Sequence, residues 1–241
     1  MSTKERNKAI ARIVSFIRKE FVAKGWNLLG KPGTDVYLIK NVSDCVVQKL
    51  VVYEPLKTSS LPQGAWAGFA CEINVLYPEL NQFVKDVCGE SFPPLTVRLA
   101  LSEVLPPDQV FAQTVLLFNF DEKEASLIGA DFVRMYEKYL EPVRVRLSSY
   151  GVFLDEDYVP PGVIAWDWKL LRTVYYRLYS SKGDWMGYAK KLDAQANAVL
   201  GDEVDENVSR IYSNISELGH ASQVRDARRA KLLIQALTGF Q

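Results

Sequence analysis

The sequence predicts an α+β protein: an N-terminal helix, an antiparallel β-meander covered by helices, and then an all-helical C-terminal region. The first observation behind this prediction is the stretch 65–75, in which apolar residues occupy every odd position. That period of two is typical of a strand with one face in a core. The second observation is that helix-like runs bracket a group of neighbouring strand-like runs. Strands and long helices do not alternate, which favours an antiparallel sheet over a doubly wound one.

The N-terminal helix is indicated by a capping pair and by apolar residues at helical spacing. Ser2 and Glu5 have the spacing of a capping box, and Gly25 is a stop signal. The apolar stripe consists of Ile10, Ile13, Val14, Ile17 and Phe21. The outer face of the helix is basic, which fits either a solvated surface or an anion-binding role.

Strand-like runs follow in the order 26–29, 36–39, 45–53, 65–75, 95–101 and 110–120. The run 45–53 is apolar on both faces, which suits a strand in the middle of a sheet. Pro78 begins a short helix that Gly89 ends. These runs predict a sheet interrupted by one short helix.

The C-terminal part of the sequence is predicted to be helical. Asp121 opens a long helix that Pro142 kinks or ends, and residues 151–162 have the composition of a loop. Further helical patterns follow at 166–178, 185–196, 204–218 and 224–237. The sequence therefore predicts a sheet domain at 1–150 and a helical region at 163–241, which is either separate or docked on the sheet.

Composition narrows the class of protein without identifying a function. Acidic and basic residues balance at 29 each, so global charge gives no reason to favour nucleic acid or an anionic membrane. No apolar run reaches the roughly 18 residues that a membrane-spanning helix needs. Three cysteines without metal-ligand spacing are typical of buried thiols in a cytoplasmic protein. We therefore expect a cytoplasmic protein without a cofactor.

Two resemblances to known families emerge along the chain. The first is carried by a helix ending in Lys24-Gly25-Trp26, a turn before Val36-Tyr37, an Ala- and Phe-rich strand ending near Tyr77-Pro78, and a capped helix at Asp121. With these features, residues 9–146 resemble a bacterial family of α+β domains of unknown function, which implies a small α+β fold and no assigned catalytic residues.

The second resemblance covers Trp166–Leu200, with Gly183-Asp184 at a turn. This pair of helices is similar to a single helix-turn-helix unit of the tetratricopeptide kind. Such units need about three copies to bury a continuous core, so one copy predicts a helical hairpin only.

Catalytic templates find little support in the sequence. The single histidine, His220, is expected at a turn between two helices, where a turn or capping role is favoured over catalysis. The chain has no G-x-S-x-G elbow and no phosphate-binding loop. Cys71 falls on the apolar face of its strand, and Cys45 has no evident basic partner, so neither is expected to be a nucleophile.

An acidic loop and a basic helix face remain as candidate sites. Asp155 and Asp157, with the glutamate between them, predict either a divalent-cation site or a solvated loop; three adjacent carboxylates cannot all reach one ion. The basic stripe comprises Arg225, Arg228, Arg229 and Lys231. It fits contacts with nucleic-acid phosphates, or ion pairs with the acidic residues of 202–206.

An excess of aromatic residues supplies the third candidate. Four tryptophans are candidate anchors for a protein partner: Trp66, Trp166, Trp168 and Trp185. Trp166 and Trp168 cannot lie on one helical face, so one of them is expected to be exposed. We therefore predict a non-catalytic interaction protein of the bacterial cytosol. The alternatives are a nucleic-acid-associated protein using the basic stripe and, less favoured, a metal-dependent hydrolase.

Overall fold

The computed structural model describes residues 3–29, 36–43, 46–53, 63, 67–106, 110–111, 114–117, 125–161, 165–179, 185–201 and 214–239. The predicted α+β class is confirmed, with an N-terminal helix, an antiparallel sheet and several further helices. The chain forms two compact units: unit 1 contains Met1–Leu76 and Val97–Val163, and unit 2 contains Tyr77–Thr96 and Ile164–Gln241. Independent domains at 1–150 and 163–241 stay a prediction.

The sheet is built mainly within unit 1. Its strands are β1 (Asn27–Leu28), β2 (Val36–Ser43), β3 (Val46–Tyr53), β4 (Ala67–Leu76), β5 (Thr96–Ala100), β6 (Val110–Phe111) and β7 (Thr114–Leu117). They are hydrogen-bonded in the order β1-β2-β3-β4-β7-β6, and β5 also pairs with β4. Because β1 to β4 pair consecutively and antiparallel, the predicted meander is confirmed for this half of the sheet.

The alternation in β4 places its apolar residues in the core. The side chains at its odd positions are at most 2% exposed, whereas Glu72, Asn74 and Leu76 are half-buried. β3 lies between β2 and β4, as its apolar composition predicts. The prediction of one strand over 110–120 is wrong: β6 and β7 pair antiparallel through Val110 and Val115, so the chain reverses direction there. Residues 110–118 include no Gly, Pro, Asn, Asp or Ser, the residues that usually mark a turn.

The α-helices are α1 (Thr3–Ala23), α2 (Pro78–Cys88), α3 (Ala125–Met135), α4 (Glu141–Arg146), α5 (Ala165–Tyr179), α6 (Trp185–Gly201) and α7 (Asn214–Gly239). α1 ends at Ala23, and the predicted stop signal, Gly25, follows two residues later with a φ of +83°, a conformation that favours glycine. Phe21 of α1 lies edge-on to Tyr136, with ring centroids 4.6 Å apart. This contact anchors α1 in the core of unit 1. None of the described helices is long and apolar enough to span a membrane.

A π-helical turn, Tyr136–Leu140, separates α3 from α4. Pro142 lies in the first turn of α4, where it has no N–H to donate and its ring crowds the preceding turn. A wider turn relieves this crowding, so the predicted interruption near Pro142 is confirmed. The turn leaves Tyr136 and Arg144 buried in unit 1.

Unit 2 contains α2 and the C-terminal helices. α5 and α6 form an antiparallel hairpin, since Tyr176 stacks on Tyr188 at 4.7 Å while Lys169 bonds to Gln195. The predicted turn at His220 is wrong, because α7 continues from Asn214 to Gly239. An interior glycine such as Gly219 costs a helix only about 1 kcal/mol, which the flanking residues can offset. The helical start predicted at 204 lies outside the described residues.

Candidate ligand-binding cleft

A cleft of about 890 Å³ opens on the surface of unit 2. Its walls are the C-terminal half of α2, the segment 91–93 and one face of α7. The face of α7 presents Arg225, Arg228, Arg229 and Leu232, whose spacing of three and four residues aligns them along a helix. Sites for small ligands commonly occupy about 300–1,000 Å³, so the cleft has room for a ligand of several residues.

Arg229 holds the walls of the cleft together. Its guanidinium donates to Asp167 Oδ1 at 2.7 Å and to the carbonyl oxygens of Pro93 and Pro94 at 2.9 and 3.2 Å. The same group lies 5.2 Å from the ring centroid of Phe92. Since α5 supplies Asp167 and α7 supplies Arg229, one side chain joins three segments of unit 2. We assign Arg229 a role in shaping the cleft.

Asn81 fixes the loop wall from the side of α2. Its amide nitrogen donates to the carbonyl oxygens of Tyr77 and Leu95 at 3.1 and 2.9 Å, and its amide oxygen accepts from the Leu95 N–H at 2.6 Å. A buried amide whose donor and acceptor both have partners is stable in a low-dielectric interior. The segment 93–95, which follows Phe92, is therefore held both by Asn81 and by Arg229.

Arg225 and Arg228 lie at the rim of the cleft, where a ligand can reach them. Both are exposed, and the Arg225 side chain retains 74% of its accessible surface. Leu232, one turn further along α7, is 60% exposed. The rim therefore combines guanidinium groups, which suit carboxylates and phosphates, with an uncovered apolar side chain.

Two buried carboxyl groups lie behind this rim. Burial raises the pKa of Asp167 above its ordinary value, and the nearby charge of Asp226 adds to that rise, while Arg229 and the Thr96 backbone oppose it. Asp226 is 7% exposed and lies 3.4 Å from Arg225 Nε. The ion pair with Arg229 holds Asp167 in place, so Asp167 is suited to structure rather than to proton transfer.

Cys88 lines the same cleft as a half-buried thiol. Burial raises its pKa, so it is protonated at neutral pH. A protonated thiol is a poor nucleophile, and its chemistry does not point to catalysis. It remains a convenient position for a chemical probe of the cleft.

Unit 1 contains a second arginine–carboxylate cluster, which is closed. Arg144 donates to both carboxylate oxygens of Glu141 and, at 2.7 Å, to Gln48 Oε1. The hydroxyl group of Tyr136 donates to Glu141 Oε2 at 2.8 Å. Burial favours a raised pKa for Glu141, but the hydrogen bonds from Arg144 and Tyr136 outweigh it, so the pKa lies below its ordinary value. Every member has partners within the fold, so this cluster serves stability.

The structure separates the four predicted tryptophan anchors. Trp168 is only 1% exposed, so it belongs to the core and is removed as a candidate partner contact. Trp166 and Trp185 are half-buried and lie beneath Lys169 and Arg177, at 5.7 and 5.2 Å from the ring centroids. Trp66 lies outside the described residues.

The basic stripe on α7 divides into two pairs of side chains. Arg229 is held by Asp167, and Lys231 Nζ lies 2.6 Å from Asp193 Oδ1. Arg225 and Arg228 are exposed and line the cleft together with Arg229, and Arg225 Nε lies 3.4 Å from Asp226 Oδ1 on the same helix. The predicted pairing with residues 202–206 falls outside the described part of the chain, and Asp167 and Asp193 are the observed partners.

Within the described residues, the acidic loop is engaged in other contacts. Asp155 pairs with Arg146, whose guanidinium also lies 3.6 Å from the ring centroid of Tyr158. Asp157 is exposed. Across the described residues, no group of three or more His, Cys, Asp or Glu side chains is arranged to hold a metal ion. The predicted loop at 151–162 also begins with a short 3-10 turn at Tyr150–Leu154.

Several of these residues escaped the sequence analysis. Gln48 left a signal, because it is a polar residue among buried Val46, Leu50 and Val52 of β3. Asp167 and Asn81 left none, since a carboxylate or amide early in a helix is ordinary.

Comparison of the chain with protein-family models, curated proteins and solved structures finds no match.

Proposed function

We propose that the protein is a non-catalytic binding protein of the bacterial cytosol, and that an acidic, partly apolar segment of a partner protein occupies the cleft of unit 2. The observation that carries this proposal is the rim, where exposed Arg225 and Arg228 precede exposed Leu232 along α7. Carboxylates of the segment bind the guanidinium groups, and an apolar side chain covers the leucine.

Charge complementarity is what favours an acidic segment. Arg229 is neutralised by Asp167, and the remaining carboxylate of the cleft, Asp226, is 7% exposed and lies beside Arg225. The charged groups that are exposed along the described lining of the cleft are therefore guanidinium groups. Arginine at the edge of a concave site also attracts acidic partners before contact and raises the rate of association.

The form of the cleft favours a peptide over nucleic acid. Proteins that bind single strands combine a basic groove with exposed rings on which bases stack. Phe92, the aromatic residue of the cleft, is 7% exposed and covered by the Arg229 guanidinium. The cleft thus offers guanidinium groups and aliphatic surface, while a stacking platform is missing from its described lining.

Selection of short random peptides on the wild-type chain tests the proposal. We expect the enriched peptides to carry Asp or Glu next to Leu, Ile or Phe, and to lose binding when Arg228→Glu replaces the wild type. A charge-matched control is Lys190→Glu on α6, an exposed residue away from the cleft. Enrichment of uncharged or basic peptides contradicts the proposal. Tighter binding of single-stranded DNA, weakening steeply with salt, replaces it with the nucleic-acid alternative.

The rate at which Cys88 reacts with a thiol reagent tests whether a bound peptide occupies the cleft. Cys88 lines the cleft and Cys71 is 2% exposed, so Cys88 is expected to react first with a thiol reagent in a Cys45→Ser background. An occupied cleft slows this reaction. Binding that leaves the reaction rate unchanged puts the peptide elsewhere and contradicts the assigned site.

A further inference from the structure

Asp226 is an enclosed carboxylate in the wall of the cleft. It lines the cleft together with Arg225, Arg228 and Arg229 of the same helix. Its side chain keeps 9% of its accessible surface, so it is largely withdrawn from water but can still be reached from the cleft. A carboxylate in such a position is unfavourable unless cations or hydrogen-bond donors satisfy both of its oxygens.

The fold satisfies this carboxylate only in part. Oδ1 accepts a hydrogen bond from Arg225 Nε at 3.4 Å, which is longer than the usual range of about 2.7–3.2 Å. Arg225 and Asp226 are adjacent in α7, and adjacent side chains of a helix do not face each other. Across the described part of the chain, Oδ2 has no hydrogen-bonding partner. Asp226 therefore keeps acceptor capacity that a ligand can use.

Arg225 is also loosely held. Its hydrogen bond to Ser222 Oγ is likewise 3.4 Å long, and its side chain is 74% exposed. A pair with one exposed partner is weak, so an acidic ligand can draw the guanidinium away from Asp226. Binding of an acid to Arg225 then weakens the single hydrogen bond that Asp226 accepts, unless the ligand supplies a replacement.

Arg229 does not provide that replacement, because it is committed to Asp167. Its Nη1 donates to Asp167 Oδ1 at 2.7 Å, and its Nη2 donates to the Pro93 and Pro94 carbonyl oxygens. Besides burial, the negative charge of Asp226 raises the pKa of Asp167, although Arg229 opposes that rise. The wall of the cleft thus contains two carboxylates whose charges act on each other, and Arg229 forms its ion pair with Asp167.

We propose that the bound segment presents a cationic group to Asp226, next to the acidic side chain that it presents to the rim. This inference rests on the proposed function and narrows the partner to a segment that carries both charges. A cationic donor forms a charge-assisted hydrogen bond with a carboxylate, and the attraction is less screened in a wall shielded from water. The cation is either the N-terminal ammonium group of the partner or the side chain of a lysine.

Titration calorimetry with matched synthetic peptides tests the site. The most enriched acidic peptide is prepared with a free N-terminal amine, with an acetylated N-terminus, and with an acetylated N-terminus plus a lysine beside its acidic residue. On the wild-type chain we expect one of the two cationic forms to bind at least about fivefold more tightly than the acetylated form without lysine. An advantage of the free amine assigns the N-terminal ammonium group, and an advantage of the lysine form assigns the side chain.

The variant Asp226→Asn removes the charge and keeps the size of the side chain. We expect it to reduce the advantage of the cationic form to less than about twofold. The acetylated peptide without lysine is expected to bind this variant at least as tightly as the wild type, which also verifies that the variant is folded. The matched control is Glu79→Gln, an exposed carboxylate at the start of α2 outside the described lining of the cleft, which is expected to keep the full advantage.

An equal advantage in the wild type and Asp226→Asn overturns the inference, because the cation then acts at another place. An equal reduction in Glu79→Gln and Asp226→Asn also overturns it, because binding then follows net charge. In both cases the acidic peptide still binds and the proposed function stands. If none of the peptides binds, the proposed function fails, and this inference fails with it.

Discussion

Two partly buried arginine–carboxylate pairs, one in each unit, serve different purposes. Arg144 donates hydrogen bonds to Glu141 and Gln48, and Tyr136 also donates to Glu141. Arg144 is 6% exposed. Arg229 and Asp167 are also bonded, but the guanidinium forms part of the wall of an open cleft. An arginine–carboxylate pair therefore indicates a ligand-binding site only where accessible charged groups and apolar surface lie beside the pair.

The largest expected effect is on the closed cluster. Arg144→Met removes the hydrogen bond to Gln48 Oε1 and the counter-charge of Glu141. We therefore expect the free energy of unfolding to fall by about 3 kcal/mol. Urea denaturation measures this loss. Arg134→Met is the control, since the Arg134 side chain is 70% exposed in its pair with Asp131 and contributes under about 0.5 kcal/mol. Equal losses in the two variants contradict the assignment of a structural role.

A smaller loss is expected at the cleft wall. Arg229→Met leaves Asp167 buried without its counter-charge, and we expect the free energy of unfolding to fall by about 2 kcal/mol. The loss is smaller than in Arg144→Met because Pro93 and Pro94 are exposed, so their carbonyl oxygens regain hydrogen bonds from water. Adding Asp167→Asn is expected to restore part of the loss, since the neutral amide does not need a cation. A double variant that is less stable than Arg229→Met would contradict the assigned pairing of Asp167 with Arg229.

The two carboxyl groups are expected to respond to pH in opposite directions. The lowered pKa of Glu141 stabilises the fold at neutral pH, and this stability is lost as the pH falls through the folded-state pKa. The raised pKa of Asp167 destabilises the fold at neutral pH, and acidification relieves that penalty.

Urea denaturation at about pH 7 and pH 4 separates the two cases. The stability advantage of the wild type over Glu141→Gln is expected to shrink at the lower pH. In the comparison with Asp167→Asn, the free energy of unfolding of the wild type is expected to rise relative to that of the variant at the lower pH. A shift of both comparisons in one direction would show that the two environments do not differ as the structure indicates.

Local periodicity predicts much of the fold but not the pairs that distinguish the two regions. The alternation in β4 and the apolar stripe of α1 are local patterns, because each is imposed by one core face. Gln48 and Arg144 are 96 residues apart, and Asp167 and Arg229 are 62 apart. Neither separation has a characteristic spacing, so tertiary packing alone brings these residues together.

Candidate sites were predictable only where residue type was unusual. The basic stripe drew attention to Arg225 and Arg228, which are exposed in the cleft, but the pattern did not distinguish them from Arg229 and Lys231, which pair with carboxylates on other helices. Helical spacing places all four residues within two turns and does not specify which of them meet a carboxylate on another helix. That information depends on how α5 and α6 pack against α7.

The most direct test of the account is the affinity of the most enriched acidic peptide for three chains, measured by fluorescence anisotropy at equal salt. The chains are the wild type, Arg228→Glu at the rim of the cleft, and Lys190→Glu on the outer surface of α6. We expect Arg228→Glu to weaken binding at least about tenfold, equivalent to about 1.4 kcal/mol, and Lys190→Glu to change it less than about twofold. Equal weakening in both variants would contradict the account, because binding would then depend on net charge and not on the cleft.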